Sequence, residues 1–314
     1  MASDQVLSPL GREEYIEQAH FFRSLAERLR ENVPAQEVLS SVREEVLATT
    51  KLPMAIDFLH AELRHSGVFS TAMTRLQHYF TPFQAFVIRE SENERGRFDL
   101  RVGLEVLRRE AEYRAEEPTT QGIFLYQFEV LCRNRLNYDR GLEAVALDPA
   151  FDATWRDWIR TVRRQIGMVD LADLIYVHSE HYRRRAAGTS QRAGSTGERA
   201  GSSPTPEPAG VGAEDGPARS DADGAAPGVV LFGEREGRIA LANRRKDSLY
   251  LFSSLHRQLG YPEVPRADPA SAGQSLLPQL ARRLEQLETR MKLVEEEQRG
   301  GIDLTQFYQR PDRE

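Results

Sequence analysis

Three spacings in the chain could do chemistry, and all of them involve histidine. Glu-x-x-His occurs at Glu17/His20 and again at Glu62/His65, and His-x-x-His occurs at His178/His181. Glutamate and histidine three positions apart on one helix are how helical bundles with di-metal carboxylate centres present their ligands. Such spacings also arise by composition alone in a chain with seven histidines and many glutamates. The helical wheel separates them. Glu17 and His20 share a polar face with Glu27 and Arg28, opposite Phe21, Phe22, Leu25, Ala26 and Leu29, so they address solvent. Glu62 instead falls among Ala55, Phe58, Leu59 and Leu63, with His65 at the edge of that apolar face. His178 and His181 share a face with Leu171, Leu174 and Val177.

A buried carboxylate requires a compensating charge, hydrogen bonds or a metal. If the helices around 53–65 and 168–184 meet, Glu62, His65, His178 and His181 form a four-ligand metal site, and the chain reads as a metal-dependent helical-bundle enzyme. The competing reading is an internal Arg–Glu ion pair beside ordinary core histidines. Other chemistry is thinner. Cys132 is the only cysteine, placed in an apolar helix where a thiol is usually inert. The chain contains no GxGxxG, GxxxxGK[ST] or GxSxG, so no phosphate cradle or nucleophile elbow is visible.

The elements that would position these residues read as mainly α. Prolines 34, 53, 82, 118 and 149 each open a stretch of helical periodicity, as proline does in a first turn. Between them the pattern predicts helices near 11–31, 35–50, 53–65, 70–80, 82–115, 119–136, 139–147, 150–166 and 168–184, forming an N-terminal multi-helix bundle over 1–185. Residues 119–136 are apolar almost all round, with Glu129 and Arg133 as an i,i+4 pair, and form the expected central helix. The 82–115 stretch passes through SENERGR, where it either projects into solvent or breaks at Gly96. Trp155 and Trp158 share a helix, one packing and the other partly exposed.

Residues 186–228 contain nine glycines and a single bulky aliphatic, Val211. Such a segment buries too little apolar surface to offset its ordering entropy, so a disordered Gly/Ser/Pro/Ala linker is expected. Beyond it lies a small helical or α/β module at 229–270. Within that module, 229–232 and 238–242 read as either a hairpin or an interrupted helix, and Asp247–Leu259 as an amphipathic helix ended by Gly260 and Pro262.

The sharpest periodicity follows at 275–299. Leu277, Leu280, Leu284, Leu287, Met291 and Val294 are spaced 3, 4, 3, 4, 3, the a/d seam of a short coiled coil. In that register Arg283 and Arg290 fall at g, Glu288 and Glu295 at e, so a parallel homodimer pairs them across the seam. The alternative packs this stripe on the chain's own domain. A tail at 300–314 begins after Gly300-Gly301 and offers Ile302, Leu304, Phe307 and Tyr308 as a docking peptide.

Charge agrees with an interaction protein better than with a nucleic-acid binder. The net charge is −6, from 42 basic and 48 acidic residues. It divides as 25 basic and 29 acidic over 1–185, 3 and 6 over 186–228, and 14 and 13 over 229–314. No segment has the basic excess of a phosphate-backbone binder. All but three of the basic residues are arginine, which fits the codon bias of a G+C-rich genome. No stretch approaches a membrane span, and the N-terminus lacks the pattern of a secretory signal. A single cysteine fits a reducing compartment. The expectation is a cytoplasmic scaffold whose partner is a second copy of itself or another coiled-coil protein, without cofactor, membrane or nucleic acid.

Overall fold

The computed structural model describes residues 8–31, 33–93, 98–195, 229–266, 288 and 291–292. Among them are thirteen named helices and no strand, beyond two isolated bridges. The contacts group the chain into two compact units. Among the described residues, one runs to Glu116 and includes Arg133–Leu136 and 264–266; the other comprises Glu117–Cys132 and the described part of Asn137–Glu263. These limits differ from the sequence boundaries at 185 and 229, because the residues after the linker are part of the second unit.

The first unit holds α1 (Arg12–Arg30), α2 (Ala35–Glu45), α3 (Leu52–Ser66), α4 (Phe69–Arg75), α5 (Pro82–Glu92) and α6 (Leu100–Ala115). Helix α1 packs chiefly along α6, and both bury the faces their periodicity marks: Phe21, Phe22 and Leu25 on α1, Leu104, Leu107 and Ala111 on α6. One ion pair lies inside this apolar unit. Glu110 and Arg114 bond at 2.9 Å with side chains 1% and 2% exposed, and the Arg114 guanidinium stands 5.8 Å over the Tyr15 ring.

Several helix ends in this unit are satisfied by carboxylates from elsewhere. Helix α4 has no side-chain cap of its own. Glu92, at the end of α5, accepts the Phe69 and Ser70 N–H groups at 2.6 and 3.1 Å. The helix expected over 35–50 stops at Glu45. Beyond it, Leu47 N–H donates to Glu17 and Lys51 N–H to Glu14, each at 2.9 Å, so the chain is tied to α1. The long helix expected over 82–115 is two helices. The first ends at Glu92 and the second starts at an Asp99 cap that accepts from Arg101 N–H at 2.7 Å; Gly96 lies outside the described residues.

The second unit is built on α7 (Thr120–Arg133), whose residues from Gly122 to Leu131 are all buried. Around it stand α8 (Tyr138–Ala146), α9 (Ala153–Gln165), α10 (Leu171–Val177), α11 (Glu180–Ser195), α12 (Glu234–Ala242) and α13 (Ser248–Leu259). Phe124 of α7 packs edge-on against Trp158 at 4.8 Å and tilted against Trp155 at 5.9 Å. Both tryptophans are buried, at 6% and 5% exposure. The expectation that one is partly exposed fails because aromatic partners flank the pair, Phe124 on α7 and Phe232 beyond the linker.

The helix expected over 168–184 is broken at His178–Ser179. Leu231 and Phe232 N–H groups donate to the His178 carbonyl at 2.9 and 3.1 Å, and Glu180 N–H donates to the Phe232 carbonyl at 3.0 Å. An extended strap at 229–232 therefore takes the backbone groups that a continuous helix would use internally. Ser179 marks the restart: its hydroxyl donates to the Tyr176 carbonyl at 2.6 Å and accepts from Tyr182 N–H at 3.2 Å. The region 229–242 is thus neither a hairpin nor an interrupted helix, but a strap followed by α12. Helix α13 has the expected ends, an Asp247 cap and a left-handed Gly260 at φ 67°.

Of the linker expected at 186–228, the first ten residues continue α11, and 196–228 lie outside the described residues. So do the coiled-coil stretch, except for Glu288, Met291 and Lys292, and the tail 300–314.

Glycine tests the packing of α12. A Cβ on Gly237 would strike the Ser179 hydroxyl and come within 2.6 Å of Ser179 Cβ and 2.8 Å of His181 Cβ. Gly237→Ala is expected to lower unfolding stability by about 1–3 kcal/mol through overpacking. Gly188→Ala, at an exposed helical site with open space around it, is expected to raise it by up to about 1 kcal/mol. Denaturant unfolding of both variants checks the contrast.

Candidate functional site

The four anticipated metal ligands are each placed by a different local constraint. Glu62 sits on α3, its side chain 18% exposed, and accepts from Arg75 of α4 at 2.6 Å. The arginine, itself mostly exposed, supplies a compensating charge to this half-buried carboxylate. His65 is exposed at the end of α3. His178 is the residue after α10, and its Nδ1 donates to the Leu174 carbonyl at 2.9 Å. Since a carbonyl only accepts, Nδ1 carries the proton and Nε2 holds the lone pair. Burial, partly offset by the Leu174 carbonyl, pushes the His178 pKa below its ordinary value. His178 is thus a half-buried histidine, its ring 5.9 Å from Trp158.

His181 lies beyond the break, on α11, and its Nδ1 donates to Glu234 of α12 at 2.8 Å. Arg184 approaches the other Glu234 oxygen at 3.3 Å. The break removes His178 and His181 from a common helix face. Among the described residues no group of three or more His, Cys, Asp and Glu side chains could hold a metal ion. Glu17 and His20, set aside as solvent-facing, hold Leu47 N–H and approach Glu45 at 3.5 Å.

A groove of about 420 Å³ lies in the first unit, lined among others by Arg12, Ile16, His20, Arg23, Glu112 and Glu116. Its charges are mixed and partly engaged. Arg12 donates to the Ala115 carbonyl at 3.2 Å, where a cation offsets the negative end of α6. Arg108 takes Glu112 at 2.6 Å. The groove therefore presents no single sign of charge to a ligand.

Sequence reasoning missed the features that occupy the second unit's interior. Phe232 sits 5.4 and 5.2 Å from the rings of Trp155 and Trp158. Gln121 reinforces it by donating to the Leu231 carbonyl at 2.7 Å. Gln127 donates to the fully buried Asp148 at 2.9 Å, and Tyr261 donates to buried Glu129 at 2.8 Å. The apolar run around Phe232 and the acid Glu129 on an otherwise apolar helix were the visible signals. Their partners lie far away in sequence.

Comparison with protein-family models, with curated proteins and with solved structures returns no match. No described helix is long and apolar enough to cross a membrane.

Two outcomes follow for the His181–Glu234 junction. The His181 hydrogen bond, then the Arg184 and Arg238 charges, hold the Glu234 pKa below the usual carboxylate range despite some burial. A folded pKa below the unfolded one means stability that is present at neutral pH and lost as pH falls through the folded value. The stability gap between wild type and Glu234→Gln should therefore be open at neutral pH and shrink as the pH falls below the ordinary carboxylate range, read by denaturant melts across that range. Phe232→Ala should cost about 3–5 kcal/mol, the range for truncating a buried aromatic, and redshift the emission of Trp155 and Trp158 as water reaches them.

Proposed function

We propose that this chain is a non-enzymatic helical interaction protein that associates through its C-terminal a/d seam. The seam comprises Leu277, Leu280, Leu284, Leu287, Met291 and Val294, with Ile302, Leu304, Phe307 and Tyr308 as a partner-docking tail. The observation that carries the reading is Met291, a seam residue that is helical and 63% exposed. A helix packed by this stripe on its own domain would bury that position; a seam that closes against another chain leaves it bare in the monomer. Glu288, the e position facing Arg283 of a parallel partner, is helical and exposed, as is Lys292. The partner that satisfies both the seam and its flanking charges is a second copy of this chain.

The structural partners of Glu62 and His181 support the non-enzymatic side of the reading. Arg75 and Glu234 provide the compensation that a metal was invoked for.

Sedimentation equilibrium of the full chain tests the association. The wild type is expected to be a dimer at micromolar concentration, and Leu284→Glu/Leu287→Glu a monomer with unchanged melting of the helical units. A wild type that stays monomeric, or a charged seam that still dimerises, defeats the proposal.

A further inference from the structure

In the second unit the turn before α10 and the turn before α13 stand side by side and carry exposed apolar side chains. Of the eleven large apolar side chains exposed among the described residues, four lie here: Met168 and Val169 before α10, Leu249 and Tyr250 in the first turn of α13. Met168 is 77% and Tyr250 65% exposed. Single apolar residues are ordinary on a protein surface, whereas a cluster of them marks a binding face.

The cluster is held in place. Gly167, left-handed at φ 85°, reverses the chain, and Met168 and Val169 N–H both donate to the Gln165 carbonyl, at 2.9 and 3.0 Å. Asp170 then joins the two turns: one carboxylate oxygen accepts Ala172 N–H at 3.1 Å and the other accepts Arg245 N–H at 2.9 Å. Arg244 bonds Asp173 and stands 5.4 Å over the Tyr176 ring. Asp247 accepts Leu249 N–H at 2.9 Å and opens α13. The acids of this end are thus spent on backbone N–H groups and on Arg244. Arg245 and Lys246 are exposed, with no acidic partner among the described residues.

Arg245 gives a second, independent sign. Its φ is 60°, in the left-handed region where glycine or asparagine sits with least strain. Strain kept at a surface turn points to a use of the side chain, and this side chain is a cation in the turn that leads to Leu249 and Tyr250.

We propose that these two turns form a docking face for an anionic lipid surface. Side chains as exposed as Met168 and Tyr250 protrude, so they enter a partner rather than line a groove for one. The face is a handful of residues, well below the roughly 20–30 a side of a standard protein interface. Apolar tips that insert shallowly, helped by neighbouring cations, are enough for reversible membrane association, and no spanning helix is needed. The tyrosine suits the boundary, its ring among acyl chains and its hydroxyl among headgroups. A second copy of the chain fits less well, because pairing this face on itself gathers like charges.

Co-sedimentation of the full chain with vesicles tests the proposal, using phosphatidylcholine with about 30% phosphatidylserine against phosphatidylcholine alone. The wild type is expected to bind the anionic vesicles at least about tenfold better, and to be released as salt rises from about 0.05 to 0.5 M. Met168→Ser/Tyr250→Ser should lose that binding with an unchanged melting temperature. Arg245→Gly separates a membrane contact from a structural role. Glycine accepts the left-handed backbone, so this variant should melt no lower than wild type yet bind the vesicles several-fold more weakly. A wild type that ignores both kinds of vesicle overturns the proposal and leaves the face to an acidic protein surface. Equal binding to neutral vesicles, or variants that bind as the wild type does, overturn it as well.

Discussion

The carbonyl of His178 decides the form of the second unit. In a continuous helix it would accept from the N–H four residues on; here it accepts from Leu231 and Phe232 instead. Everything around it follows from that exchange. The helix breaks, Ser179 caps its continuation, and His181 turns onto α11, where it meets Glu234. The strap delivers Phe232 between two tryptophans, and α12 can then lie so close to Ser179 that only glycine fits at 237. Backbone pairing sets the position, and aromatic burial makes it worth holding. Neither alone accounts for the geometry.

The first unit solves a related problem with side chains. Helix starts leave N–H groups without intrahelical partners, and short helices expose many of them. Glu92 serves α4, while Glu14 and Glu17 hold the turn between α2 and α3. These acids are distant in sequence from what they bind, the Glu17–Leu47 pair by 30 positions. They work as long-range clamps, and their loss would loosen a turn without opening the core.

How much of this could be read from the residues depends on how far each partner lies. Local signals transferred well. Asp247 and Gly260 delimit α13 because cap chemistry acts within a few positions, and the all-round apolar pattern of α7 marks a helix that is buried on every side. Pro82 stands in the first turn of α5, where its fixed φ belongs. Signals that depend on remote partners did not transfer. The break at His178 is invisible in 168–184 because its cause lies in 229–232. The burial of both Trp155 and Trp158 needed knowledge of Phe232. Glu62 was singled out as a carboxylate in need of compensation, and nothing local names Arg75 as its partner. The wheel placed His178 and His181 together by assuming a straight helix, and that assumption is what the strap removes.

The strap also bears on how this chain tolerates change. His181 and Glu234 stand 53 positions apart yet form one junction, so the chain between them closes a loop whose ends are fixed by the fold. The fold fixes both ends of that stretch, and at the far end it leaves no room, since one methyl added at Gly237 already meets Ser179 and His181. Constancy belongs in the small surface where the chain returns.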